Sequence, residues 1–96
     1  MSEQVRVERE GGVLAITLAR PDRRNAITVA MYAALAEAVE GADDGTVGVI
    51  AIRGEGEDFT AGNDLLDFLQ AAPRDGEEIP VSRLLRALAH NRIPIA

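Results

Sequence analysis

Apolar and polar positions along this chain sort into short strands and longer helical stripes. Val5-Arg6-Val7-Glu8 alternates apolar and charged residues, Gly11-Gly12 supplies the positive φ of a two-residue turn, and Val13 to Leu18 continues as a more apolar strand. A β-hairpin is therefore predicted to open the chain. Arg20-Pro21-Asp22 reads as a turn and Thr28 as a helix N-cap, followed by Met31, Leu35, Val39 and Ala42 at spacings of three and four. That pattern predicts an amphipathic helix ending near Gly45. Val47 to Ile52 is almost continuously apolar and β-branched, the composition of a strand covered on both faces.

Asp64, with Asp67 three residues on, is a weaker relative of the capping box, and Leu65, Phe68 and Leu69 form a short apolar stripe behind it. A short helix is predicted there. Ala71 to Glu78 is polar and broken and is expected to be a mobile loop. Val81, Leu84, Leu85 and Leu88 fall on one helical face, with Arg83 and Arg86 opposite and Pro80 in the first turn. Pro94 biases Ile93 toward extended geometry, and Ile95-Ala96 reads as the opening of a further buried strand. The expectation is a fragment, truncated after Ala96.

Composition narrows the class. The chain has 96 residues, 47% hydrophobic and 27% charged, which allows one globular domain with a small core. Cysteine is absent, which removes disulfides, thiolate nucleophiles and Cys-based zinc sites and makes a reducing compartment, hence the cytoplasm, the expected location. No segment has the composition of a signal peptide or a membrane span, so no membrane partner is expected. Sixteen acids oppose ten bases, giving net charge -6, and all the bases are Arg without forming a basic face. Nucleic acid is accordingly not an expected partner.

The candidate chemistry concentrates at Phe59-Thr60-Ala61-Gly62-Asn63-Asp64-Leu65, a small, glycine-containing turn between the apolar strand and a helix start. Free N–H groups and the positive end of a helix dipole suit an anion or a developing oxyanion. The competing reading is an ordinary helix cap, with Asp64 binding its own helix. Gly54-Glu55-Gly56 begins like a dinucleotide loop, but the third glycine is missing and carboxylates would face the pyrophosphate. His90, the single histidine, ends the last helix, where the C-terminal dipole explains it. The pairs Asp43-Asp44 and Glu77-Glu78 sit at solvated ends, so no metal site is implied, and Ser82 has no neighbouring base.

Taken in order, the hairpin, Arg20-Pro21-Asp22-Arg23-Arg24-Asn25-Ala26-Ile27, the long helix, the apolar strand ending in Gly54, and Phe59 to Phe68 resemble the N-terminal part of the crotonase (enoyl-CoA hydratase/isomerase) superfamily. The likeness covers essentially the whole chain. It implies an α/β, crotonase-like (ββα superhelix) fold, of which residues 1–96 would be the N-terminal portion.

The resemblance further implies that Ala61, Gly62, Asn63, Asp64 and Leu65 lie along an acyl-CoA, with the backbone N–H of Asn63 given to the thioester oxygen. Arg24 would meet phosphate, while Ala26 and Ile27 would border the adenine. No separate cofactor is expected, since coenzyme A is part of the substrate. The implied reaction is hydration of fatty enoyl-CoA thioesters through a stabilised enolate. Its alternative is Δ3,Δ2-enoyl-CoA isomerisation, because Gly62-Asn63-Asp64-Leu65 is more similar to the peroxisomal-type isomerases, most hydratases having Ala or Gly where Asn63 stands. A non-catalytic CoA-binding protein is the rival from another class. In the family's longer chains the second oxyanion donor and the catalytic carboxylates follow the region of Ile93 to Ala96, so the 96-residue chain alone is expected to be inactive. Trimers or hexamers are the assemblies the family implies.

Overall fold

The structure, a computed structural model, describes residues 4–70 and 79–96. The loop expected at Ala71 to Glu78 lies outside them. Strand β1 (Val5–Glu10) runs antiparallel to β2 (Val13–Leu18), and β2 runs parallel to β3 (Val49–Gly54), giving a sheet of order β1-β2-β3. Helix α1 (Val29–Gly41) makes the parallel crossover, and α2 (Leu65–Gln70) and α3 (Pro80–His90) follow. A 3₁₀ turn covers Pro21–Arg23. The mixed α/β architecture predicted from the sequence is the one observed.

Register explains the core. Val5 opposes Leu18 and Val7 opposes Ile16, while Leu14 and Ile16 align with Ile50 and Ile52. Because side chains alternate along a strand, these residues share one face. Leu14, Ile16, Leu18, Val5 and Ile50 are buried there with Met31, Leu35 and Ala42. The sequence stripe of α1 is the stripe that packs. Thr28 caps the helix as expected, its hydroxyl accepting from Met31 N at 3.1 Å.

Three details differ from the sequence reading. β3 begins at Val49 rather than Val47, because the carbonyl of Gly12 at the hairpin tip takes the N–H of Gly48 at 2.7 Å and of Val49 at 3.3 Å. Among the described residues only one face of β3 is covered. On the other face Glu8, Glu10, Val13, Ala15, Ala51 and Arg53 line an open depression, and Arg53 Nε donates to Thr17 Oγ1 at 3.3 Å across the sheet. Helix α3 is rotated from its expected seat. Leu84 packs on the core, but Arg83 pairs with Glu40 of α1 at 2.6 Å, and Leu85 and Leu88 are turned outward. The Arg83–Glu40 ion pair thus lies across the α1–α3 contact beside the packed Leu84.

The C-terminal residues do extend the sheet. Ile50 N donates to Pro94 O at 2.9 Å, Ala96 N to Ile50 O at 2.8 Å, and Ile52 N to Ala96 O at 3.1 Å. Ile95 therefore bridges Ile50 in parallel, although its side chain is exposed rather than buried. Gly54, closing β3, admits no side chain. A Cβ there would stand 2.5 Å from Phe59 O and 2.7 Å from Phe59 Cα, so the loop folds directly onto the strand end.

Candidate active site

The two segments singled out in the sequence lie against each other. Ala61 N donates to Arg24 O at 2.9 Å, Ile27 N to Gly62 O at 2.8 Å, and Asp64 N to Ile27 O at 2.9 Å. Residues 24–27 and 61–64 thus form a short parallel ladder with Ile27 bridging Asn63. In such a bridge one residue uses both backbone groups toward its partner strand, and the residue opposite turns both of its own away. Ile27 is the first and Asn63 the second. The N–H of Asn63 points outward and, among the described residues, has no acceptor. Gly62, at φ 98, supplies the left-handed step that turns this N–H out.

Asn25 holds the ladder to the rest of the fold. It is fully buried, yet every polar group of its side chain is used: Oδ1 accepts from Arg20 N at 2.9 Å, and Nδ2 donates to Glu55 O at 2.9 Å and Asp58 O at 2.7 Å. Arg24 and Asn25 are both left-handed, at φ 54 and 58. Asn tolerates that region, and the five hydrogen bonds made by its backbone and side chain, including Asn25 N to Arg20 O at 2.8 Å and Thr60 Oγ1 to Asn25 O at 2.7 Å, offset the strain.

Asp64 caps α2, its Oδ1 accepting from Asp67 N at 3.0 Å, so the helix-cap reading of this residue is correct. The outward N–H belongs to its neighbour, and the two readings of the turn coexist. Asp67 does not complete the box predicted for it. The N–H of Asp64 is already taken by Ile27 O, and Asp67 Oδ2 instead accepts from Val29 N at 2.8 Å, capping α1. The amide of Asp67 and then the guanidinium of Arg20 hold the Asp64 carboxyl below the usual carboxylate range, which makes it a poor proton acceptor.

The remaining predicted residues take distinct places. Arg24 is exposed, and its guanidinium pairs with Asp58 at 3.2 Å. Ala26 is half-buried and Ile27 buried, so Ile27 serves the site through its backbone. Ala61, Asn63 and Leu65 are exposed along the outer side of the ladder. His90 lies at the end of α3 with Nδ1 donating to Arg86 O at 2.9 Å, and Ser82 is exposed. Among the described residues no group of three His, Asp or Glu side chains could hold a metal. Arg20, Asn25, Tyr32 and Thr60 emerge only in three dimensions. Asn25 alone left a sequence signal, an Asn beside a turn, where the left-handed region is tolerated.

A family model for enoyl-CoA hydratase/isomerase matches residues 8–96. The crystal structure of an enoyl-CoA hydratase/isomerase from Pseudoalteromonas atlantica T6c superposes with TM-score 0.89 at 33% identity, covering 98% of this chain and 38% of that one. Enoyl-CoA delta isomerase 2 of Rattus norvegicus is 35% identical over 71 residues, 74% of this chain and 18% of its own length. Hydroxycinnamoyl-CoA hydratase-lyase of Pseudomonas fluorescens is 32% identical over 83 residues, 85% of this chain and 30% of its own length. The chain belongs to the enoyl-CoA hydratase/isomerase family, within the crotonase superfamily. It spans less than a third of those two relatives and about two fifths of the matched structure.

Proposed function

We propose that the complete protein converts enoyl-CoA thioesters through a thioester enolate, and that the N–H of Asn63 is one donor to the enolate oxygen. The observation that carries this reading is the outward N–H of Asn63, without an acceptor among the described residues and fixed by the Ile27 bridge on one side and the left-handed Gly62 on the other. A donor already oriented costs no reorganisation as charge develops, and one such donor is worth roughly 3 to 4 kcal/mol.

Hydration is the first reading: hydroxide equivalent adds to the β-carbon, electrons shift to the thioester oxygen, and the enolate then takes a proton at the α-carbon. Isomerisation is the second, favoured by the string Gly62-Asn63-Asp64-Leu65 and by the rat isomerase among the relatives. Both reactions pass through the same oxyanion. Asp64 is committed to Arg20 and to its helix, so proton transfer falls to carboxylates that the resemblance assigns to sequence after the position of Ala96. No separate cofactor takes part, coenzyme A arriving with the substrate. The exposed leucines Leu65, Leu66 and Leu69 of α2 suit burial in a trimer or a hexamer, read directly by light scattering.

The test is to incubate the complete protein with a trans-2-enoyl-CoA and, separately, with a trans-3-enoyl-CoA. Loss of conjugated absorbance with the first identifies a hydratase, and its appearance with the second an isomerase. Tight binding of both with turnover of neither would leave a non-catalytic CoA-binding protein.

A further inference from the structure

Arg20 lies outside the ladder, yet a single nitrogen of its guanidinium spans it. Nη1 donates to Ala26 O at 3.0 Å on one segment and to Asp64 Oδ2 at 2.8 Å on the other. These acceptors flank the bridged pair, Ala26 preceding Ile27 and Asp64 following Asn63. The contact is largely shielded, with 14% of the Arg20 side chain and 19% of the Asp64 side chain exposed, whereas Arg24 in the neighbouring pair is 72% exposed. Shielding strengthens a charge-assisted hydrogen bond and reduces its screening by salt.

Other bonds hold the turn on both sides of Asn63, among them that of Tyr32 to the Asn63 side chain and that of Asp67 N to Asp64 Oδ1. Thr60 Oγ1 accepts from Gly62 N at 3.1 Å and donates to Asn25 O, and Ala61 N is held by Arg24 O. After Asn63, the ladder offers one backbone bond, Asp64 N to Ile27 O. The Asn63 N–H belongs to the Gly62–Asn63 peptide, whose plane is set by the bond from Ile27 N to Gly62 O, so its aim holds only while the two segments stay in register. The clamp from Arg20 holds that register, because Asp64 cannot part from Ala26 without stretching a bond to a guanidinium that grips both. Arg20 is itself anchored, its N–H donating to Asn25 Oδ1 and its carbonyl accepting from Asn25 N at 2.8 Å.

We infer that Arg20 is a positioning residue for the oxyanion donor, holding residues 61–64 against residues 24–27 and so fixing the direction of the Asn63 N–H. This rests on the reading of Asn63 given above. It implies that removing the clamp lowers turnover while leaving acyl-CoA affinity nearly intact, since the clamp touches no part of the ligand. Because one nitrogen makes both contacts, an ammonium at the same place can replace it. Lysine therefore rescues where glutamine does not.

The experiment uses the complete protein and para-aminocinnamoyl-CoA, a conjugated thioester whose absorbance moves to longer wavelength when its carbonyl is polarised. Bound to the wild-type protein at saturation, the probe is expected to shift red. In Arg20→Gln the shift is expected to fall to less than about half, with kcat roughly 10- to 100-fold lower and KM within about threefold, the pattern of lost preorganisation rather than lost binding. Arg20→Lys is expected to recover most of the shift. A full wild-type shift and turnover in Arg20→Gln would overturn the inference while leaving the role of Asn63 intact. If the wild-type protein binds the probe without any shift, the role of Asn63 fails and the inference with it. Should Arg20→Gln not fold, Asp64→Asn decides. It retains an acceptor for Asp67 N and weakens only the charged clamp, so an undiminished shift in that variant refutes the inference and a reduced one supports it.

Discussion

Tyr32 of α1 donates its hydroxyl to Oδ1 of Asn63, so the side chain of the turn residue is tied to the helix while its backbone N–H has no acceptor among the described residues. The Tyr32 ring is in turn set edge-on to Phe68 of α2, with centroids 5.8 Å apart and planes at 87°. Backbone and side chain of Asn63 thus have separate tasks, and substitutions can separate them.

Asn63→Ala removes only the bond to Tyr32 and is expected to lower turnover mildly. Asn63→Pro removes the N–H itself and is expected to cost a hundredfold or so in kcat, the order found for loss of one oxyanion donor. Steady-state kinetics of the complete protein, with circular dichroism to confirm folding, checks the pair. Near-normal activity in a folded Asn63→Pro variant would remove the oxyanion role.

Arg24 is expected to matter only to the nucleotide end of the ligand. Its pairing with Asp58 means that phosphate must compete with a carboxylate. Arg24→Ala is therefore expected to weaken acyl-CoA binding by roughly tenfold, and Asp58→Asn to tighten it, with neither changing the affinity of an acyl-pantetheine thioester. Isothermal titration of both ligands against the three proteins reads this. Equal effects on the two ligands would make Arg24 an ordinary surface charge.

Asn25→Asp preserves size, tolerance of the left-handed region and the acceptor facing Arg20 N. It replaces the Nδ2 donor with an oxygen set against the carbonyls of Glu55 and Asp58. A buried charge facing two acceptors is expected to destabilise the protein by at least about 2 kcal/mol. Chemical denaturation measures it, and a change below about 0.5 kcal/mol, the range of ordinary surface substitutions, would deny Asn25 its place as the anchor.

Asp44 should report on acid unfolding. The hydroxyl and amide of Thr46, then Arg9, hold its carboxyl down to about 2 from an ordinary 3.8. A group whose folded pKa is lowered contributes stability above its unfolded value and loses it as pH falls through the folded one. The stability gap between the wild-type protein and Asp44→Asn is therefore expected to be constant at neutral pH and to narrow as pH drops from 3.8 toward 2. Carboxyl-carbon NMR gives the titration midpoint directly, and a value near 4 would show that the Thr46 and Arg9 contacts do not persist in solution.

Much of the fold was legible in the sequence because its signals are local. Gly11-Gly12 between alternating strands, Thr28 ahead of Met31, Leu35 and Val39, and the apolar run through Ile50 each act within a few residues, where periodicity and capping chemistry decide. The turn at Gly62-Asn63 was likewise found, from small residues before a helix start together with its resemblance to a family. Tertiary structure alone decided the rest. The clamp from Arg20 to Asp64 spans 44 positions, and the bonds from Asn25 to Glu55 and Asp58 span 30 and 33. No local pattern marks such partners, since a polar side chain before a turn looks the same whether it meets water or a distant carbonyl. The same limit applies to α3, whose helix was predicted but whose seat, with Leu84 on the core and Leu85 and Leu88 turned outward, depends on partners in α1 distant in sequence. The sequence by itself determined which segments become strands and helices and where an N–H can be left open. Only packing determined that the Asn63 N–H is the open one, because its direction depends on Ile27 lying beside it in parallel.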